Sequence, residues 1–344
     1  MAFKDVIGQG KAIRILLGTL SRDRIPSSYL FTGESGIGKK FTAINLAKAL
    51  NCQSIQLSAI SYQLIDCCDK CPSCRKIDAQ THPDFLMITP EKGEIRVEEI
   101  RTIEETLSLM PYEGKRKVVI VDNAETMNPS AANAFLKTLE EPPPQSIIIL
   151  ISASPDRLPE TIRSRCSCIS FSPLSPEKCE EVIRTVGSRK SGIRSQESKK
   201  GSRLTTLDSR LSTIARLSMG RPGLAISNNL IEEREWFIRL LREMVNGGNK
   251  EMWADKDEIE KWFNTAFTVL RDAAVLKITG REDMLINTDL KDNIANMGKT
   301  MELKDIIESY VRLSFLKGYL GFNLNKSITW NYVSTIIKGL GVRV

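Results

Sequence analysis

Between positions 33 and 40 the chain reads Gly-Glu-Ser-Gly-Ile-Gly-Lys-Lys, and few segments among its 344 residues restrict the fold as tightly. An apolar run, Ser28–Thr32, leads into it, and helix-forming residues from Phe41 to Leu50 follow. Strand, glycine-rich loop and helix in that order make a phosphate-binding loop. The glycines let successive amides curl round a phosphate, and the lysine reaches the outer phosphates. Gly33, Gly36, Gly38 and Lys39 are therefore candidate nucleotide ligands. The next position normally holds Ser or Thr, whose hydroxyl binds Mg²⁺. Here it is Lys40, an ammonium that repels a metal. The added charge is compatible with phosphate affinity, whereas hydrolysis is expected to suffer.

A second element agrees. Val118–Val121 is an apolar run ending in Asp122, the Walker B form, and Asp122 can still orient a metal. The following position, where a glutamate would polarise water, is Asn123, which cannot act as a base. Glu125 is a weaker substitute for that role.

Around these motifs, strands alternate with helices, as in a parallel sheet covered on both faces. Apolar runs fall at Ser28–Thr32, Phe85–Ile88, Val118–Val121 and Ile147–Ile151. Asn128-Pro129-Ser130 starts a helix whose buried face is Ala132, Phe135, Leu136 and Leu139. After about Asn229 the strand signals stop. Ile259, Trp262, Phe263, Ala266 and Leu270 then form a helical stripe that is expected to be core packing. The fold class expected is α/β followed by all-α. Residues 187–203 carry six basic residues against one acid with no apolar periodicity, as a solvated insertion does. A basic strap for DNA phosphates is the other reading.

Cys68-x2-Cys71-x2-Cys74, with Cys52 at the end of the preceding helix, suits a tetrahedral zinc that ties a loop with little core of its own. Cys52 is the fourth ligand by position, and Cys67 is the alternative. Cys166, Cys168 and Cys179 are expected to pack as small hydrophobes. The single histidine, His82, excludes most histidine-based chemistry, and the net charge of +7 permits nucleic acid or acidic partners without demanding them. There is no apolar run of membrane-spanning length and no signal-peptide stretch after Met1, so no membrane association and a cytoplasmic location are expected.

With those motifs placed, the first half resembles the clamp-loader AAA+ ATPases, and among them the delta-prime type of bacterial DNA polymerase III. The matching segments include Ile7-Gly8-Gln9, Arg24-Ile25-Pro26, Thr81-His82-Pro83-Asp84, Leu136-Lys137-Thr138-Leu139-Glu140-Glu141-Pro142-Pro143 and Ser164-Arg165-Cys166. Weaker similarity continues at Trp262, Arg271-Asp272, Asn287-Thr288-Asp289 and Asn323-Leu324-Asn325. The resemblance implies an AAA+ P-loop domain over residues 1–172 with a zinc module at about 52–74. It further implies a helical lid over 173–228 and a helical collar for oligomerisation over 229–344. It assigns Arg165 as an arginine finger acting in the neighbouring subunit's ATP site, and Ser152 to the sensor position on the fourth strand. Met219–Ala225 resembles the second sensor segment, with Gly223 where ATP-hydrolysing relatives carry arginine and with Arg221 directed elsewhere. The implied partners are gamma/tau motor and delta subunits in a hetero-pentamer, the sliding clamp and primed DNA. ATP or ADP would be held without efficient hydrolysis. The rivals are a hydrolysing gamma/tau-type motor and a zinc-dependent DNA-binding module.

Overall fold

The computed structural model describes residues 2–54, 66–91, 93–190, 211–227, 230–247, 253–321 and 325–339. Its first compact unit comprises residues 1–189 and 220–224, and its second comprises 190–219 and 225–344.

The first unit is built on five parallel strands: β1 (Ser28–Thr32), β2 (Phe85–Ile88), β3 (Lys117–Val121), β4 (Ser146–Ser152) and β5 (Ser167–Ser170), ordered β2-β3-β4-β1-β5. Successive strand residues point to opposite faces, and both faces are covered. On one side Tyr29, Phe31, Val118, Ile120, Ile147 and Ile149 pack with Leu16 of α1 (Gly10–Ser21) and with Ala43 and Leu46 of α2 (Lys39–Asn51). A short α3 (Pro72–Asp78) follows α2. On the other side Leu30, Val119, Val121, Ile148 and Leu150 meet Ile100, Ile103 and Leu107 of α4 (Val97–Ser108), with Phe135 and Leu139 of α5 (Pro129–Glu140). Asn128 caps α5 through Ala131 N–H at 2.8 Å.

β5, which follows α6 (Glu160–Arg163), has no counterpart among the apolar runs of the sequence. Among the described residues it pairs with β1 as an edge strand, and Ile169 alone of its own residues is buried. Thr32 of β1 lies opposite both Ser152 of β4 and Ser170 of β5, so the phosphate loop leaves the sheet among the carboxyl ends of the strands. That rim is where open α/β sheets hold ligands.

Beyond β5 come α7 (Pro176–Lys190), α8 (residues 211–217) and α9 (Pro222–Ser227). Of the basic stretch 187–203, residues 191–203 lie outside the described residues.

The second unit holds α10 (Leu230–Asn246), α11 (Lys256–Thr279), α12 (Lys291–Thr300), α13 (Leu303–Gly318) and α14 (Lys326–Gly339). The stripe Ile259, Trp262, Phe263, Ala266 and Leu270 is buried in its core. Trp262 lies 5.6 Å from Phe237 and 5.7 Å from Trp253 between ring centroids, and Trp253 lies 5.1 Å from Trp330. Asp255 caps α11, and Gly280, at φ 66°, ends it in the left-handed conformation glycine adopts without strain. Buried Asp272 accepts the N–H groups of Ile286 and Asn287 at 2.9 and 2.7 Å and pairs with Arg271 at 2.6 Å. Those bonds tie the segment before α12 to α11. Among the described residues no helix is long and apolar enough to cross a membrane.

Candidate nucleotide site and cysteine cluster

The loop has the backbone its glycines imply. Gly33 and Gly38 take φ of 132° and 101°, and a Cβ on Gly33 would lie 2.5 Å from the Phe171 carbonyl oxygen. Lys39, 94% buried, turns back to donate to the carbonyls of Gly33 and Glu34. Burial pulls its pKa below the usual lysine value, while the charges of Glu125, Asp122 and Glu34 oppose that shift. The motif residue Gln9 clamps the loop from beneath. Its Nε2 donates to the carbonyls of Ile37 (3.2 Å) and Ser172 (2.8 Å), and its Oε1 accepts Ser172 N–H at 3.2 Å.

Lys40 places its Nζ 3.1 Å from Asp122 Oδ2. The loop residue that replaces the metal-binding hydroxyl therefore pairs with the acid that would orient the metal. The residues present do not fit a Mg²⁺ ion: one ligand is absent, a cation stands in its place, and the remaining acid is engaged. Asn123 adopts φ 50°, a left-handed conformation asparagine tolerates, and faces solvent. Glu125 faces inward. Its Oε1 accepts Ala153 N–H at 2.9 Å, and its Oε2 is buried with no hydrogen-bond partner among the described residues. Ser152, fully buried at the end of β4, accepts Ser154 N–H at 3.1 Å through its hydroxyl.

Gly223 N–H donates to the Gly36 carbonyl at 2.8 Å, and a Cβ on Gly223 would meet Gly36 Cα and O at 2.8 Å. The start of α9 thus touches the loop backbone at a distance only glycine allows. Arg221, expected to point elsewhere, lies at the loop, its Nη1 3.4 Å from Glu34 Oε2.

Arg165 follows α6. Its Nη1 donates to Thr161 O at 2.8 Å, and its Nη2 lies 2.5 Å from Glu140 Oε1 at the end of α5. The Leu-Lys-Thr-Leu-Glu-Glu and Ser-Arg-Cys segments, far apart in sequence, meet at that pair. Arg163 reaches Asp156 at 3.3 Å.

The Sγ atoms of Cys52, Cys68, Cys71 and Cys74 all lie within 4.8 Å of one another, with Cys52 and Cys71 4.0 Å apart. Four sulfurs at ~2.3 Å from one zinc stand ~3.8 Å apart, so the donor set has the size and chemistry of a tetrahedral thiolate site. Cys52 ends α2, and Cys71 caps α3. Burial pushes the Cys68 thiol up, but the N–H groups of Lys70 and Cys71, 3.5 and 3.3 Å from its sulfur, help bring it down to about 6. Cys67 turns to Asp69 instead, 3.5 Å away, and burial first of all pushes its thiol up to about 12. Buried Lys48 binds Asp69 and Asp78 at 2.6 and 3.0 Å and fastens α2 to the cysteine loop. Cys179 is buried, Cys166 half-buried and Cys168 exposed on the edge strand, so Cys168 departs from the expected packing.

The sheet order and the loop, with helices as the regular elements among the described residues of the second unit, give an AAA+ P-loop fold. Residues 8–175, just under half of the chain, match the family model described as DNA polymerase III, delta subunit, and over that segment the chain is similar to subunits of DNA polymerase III. It is 34% identical over 175 residues to DNA polymerase III subunit delta' of Bacillus subtilis, covering 51% of each chain. To subunit delta' of Pseudomonas aeruginosa it is 40% identical over 141 residues, covering 40% of this chain and 41% of the relative. To subunit gamma/tau of Mycoplasma genitalium it is 30% identical over 187 residues, covering 54% and 30%. The chain spans about half or less of the length of these relatives.

Proposed function

We propose that this chain is a delta-prime-type subunit of the bacterial DNA polymerase III clamp loader, a cytoplasmic protein that turns over no nucleotide itself. Its place is in a hetero-pentamer with gamma/tau motor and delta subunits, which loads the sliding clamp onto primed DNA. The observation that carries this reading is the Lys40–Asp122 ion pair at 3.1 Å, which sets a protein cation where hydrolysis requires a metal. Asn123 removes the base, and the close approach of Gly223 to Gly36 leaves no room for a side chain where hydrolysing relatives carry arginine.

Arg165 is the residue we assign to act in trans. Its guanidinium is one-third exposed and would place delocalised charge against the phosphoryl oxygens in a neighbouring subunit's site. The four-cysteine cluster would hold a structural zinc, with each thiolate of Cys52, Cys68, Cys71 and Cys74 as a ligand. In this reading residues 1–172 form the P-loop domain, 173–228 the lid and 229–344 the collar that holds the ring together.

The gamma/tau relatives supply a second reading, a motor with its own turnover. One assay separates the two: clamp- and primed-DNA-stimulated ATPase of the reconstituted loader with wild type or Arg165→Ala, beside ATPase of this chain alone. A steep loss in the intact complex, with the lone chain at background, is expected. Steady turnover by the lone chain would establish the motor, and an unchanged complex would remove the finger role.

A further inference from the structure

The Lys40–Asp122 pair has a consequence for which form of nucleotide the loop takes. In a hydrolysing P-loop the polyphosphate arrives with Mg²⁺, and the metal is held by the loop hydroxyl and the Walker B acid. Here the hydroxyl is absent, and both members of the ion pair stand in the metal's place. We infer that this loop binds a nucleoside di- or triphosphate in its metal-free form, with the Lys40 ammonium as a tethered replacement for the divalent cation. The inference rests on the reading above that the loop is a nucleotide site.

Charge accounts for the preference. The groups facing the loop are Lys39, Lys40, Asp122 and Glu125, with Glu34 offset by Arg221 at 3.4 Å. Without Lys40 the two acids would exceed Lys39, and a bare polyphosphate would be repelled. With it, the site approaches a balance that other P-loops reach only after a metal binds. A Mg²⁺ ion brought in by the nucleotide would be repelled by the Lys40 charge and would find Asp122 already engaged. Mg²⁺ also removes two units of negative charge from the nucleotide, which weakens its attraction to both lysines. The rest of the cradle needs no metal: the loop amides, the start of α2 and Lys39, whose ammonium donates to carbonyls of its own loop.

The experiment is calorimetric titration of the full chain with ADP and with ATP, in EDTA and in excess Mg²⁺ at matched ionic strength, for wild type, Lys40→Thr and Lys39→Ala. The Lys40 side chain is 43% exposed, so its replacement opens no core cavity. Wild type is expected to bind about tenfold or more tightly in EDTA than in Mg²⁺. Lys40→Thr is expected to reverse that order, and Lys39→Ala to lose binding in both. Tighter wild-type binding in Mg²⁺ would overturn the inference and leave the nucleotide site standing. So would binding by Lys40→Thr alone, which would mean the ion pair closes the loop. If neither wild type nor Lys40→Thr binds in either condition, the nucleotide-site reading itself fails. Wild-type binding that survives Lys39→Ala would put the ligand elsewhere.

Discussion

Asp84, the last residue of the Thr-His-Pro-Asp segment, is expected to be a main support of the turn that leads into β3, the strand that runs up to Asp122. Its carboxylate is buried, and Oδ1 accepts Tyr112 N–H at 2.7 Å while Oδ2 accepts those of Glu113 and Gly114 at 2.8 and 2.7 Å. Its carbonyl accepts Val118 N–H at 2.9 Å, the start of β3. Hydrogen bonds to a charged acceptor contribute roughly 1.5–3 kcal/mol each, but the chain at Tyr112 and Glu113 is exposed and recaptures water once the acceptor is gone. About 1 kcal/mol per bond, or ~3 kcal/mol in all, is therefore expected for Asp84→Ala. Asp84→Asn keeps the size and one oxygen and is expected to cost ~1–2 kcal/mol. Burial pushes the Asp84 pKa up, but the three N–H donors outweigh it and hold the carboxyl below its ordinary value. A depressed folded pKa contributes stability above the unfolded pKa of about 4 and loses it as pH falls through the folded value. The gap between wild type and Asp84→Asn should therefore be full at neutral pH and shrink in acid. All four tryptophans, 236, 253, 262 and 330, lie in the second unit, so their fluorescence is blind to this change and serves as the control. Amide hydrogen exchange at β2 and β3 is the readout. Variants within ~0.5 kcal/mol of wild type, or a gap constant with pH, would refute the reasoning.

The cysteine cluster predicts about one zinc per chain by elemental analysis. Cys52→Ser should lose the metal and Cys67→Ser should keep it, and the reverse order would reassign the fourth ligand. Gly223→Ala should destabilise the first unit by ~1–3 kcal/mol, because its Cβ meets the Gly36 backbone at 2.8 Å; a neutral result in urea unfolding would count against that contact. Gly223→Arg should leave ATP hydrolysis by the lone chain at background, since Lys40 and Asn123 remain, and steady turnover in that variant would contradict the account of the site.

What the sequence made legible was local. The loop sits between a strand and a helix joined within a dozen residues, so its glycine spacing carried its own geometry. The stripe from Ile259 to Leu270 was equally readable, because a 24-residue helix repeats one buried face over and over. Contacts across the fold were not. Nothing near Lys40 announces that its ammonium lands on Asp122, or near Arg165 that it meets Glu140, because parallel strands bring distant segments side by side. β5 escaped because an edge strand with one buried residue makes no apolar run. Arg221 was misdirected because spacing along the chain says little about a turn. There Met219 and Gly220 both take positive φ, and the segment bends back to the loop.

The pattern of what the site keeps and what it loses is itself informative. A loop with no use for phosphate has no physical reason to hold Gly33, Gly36 and Gly38 at φ of 132°, 83° and 101°, to bury Lys39, or to be clamped by Gln9. Burying the Lys39 ammonium carries a desolvation cost, which an anionic ligand would offset. The groups replaced are those that serve a metal and a water: the hydroxyl at 40 and the carboxylate at 123. The groups that cradle an anion remain. On the proposed reading, shape and turnover are separated in this domain. Arg165 lies after α6 beside Glu140, outside the loop and its ion pair, and in the proposed role it would serve a neighbour's phosphates without any chemistry at its own loop. A static nucleotide would then act as part of the core that sets the loop and α9 in register, and the arginine would carry the chemistry for another subunit.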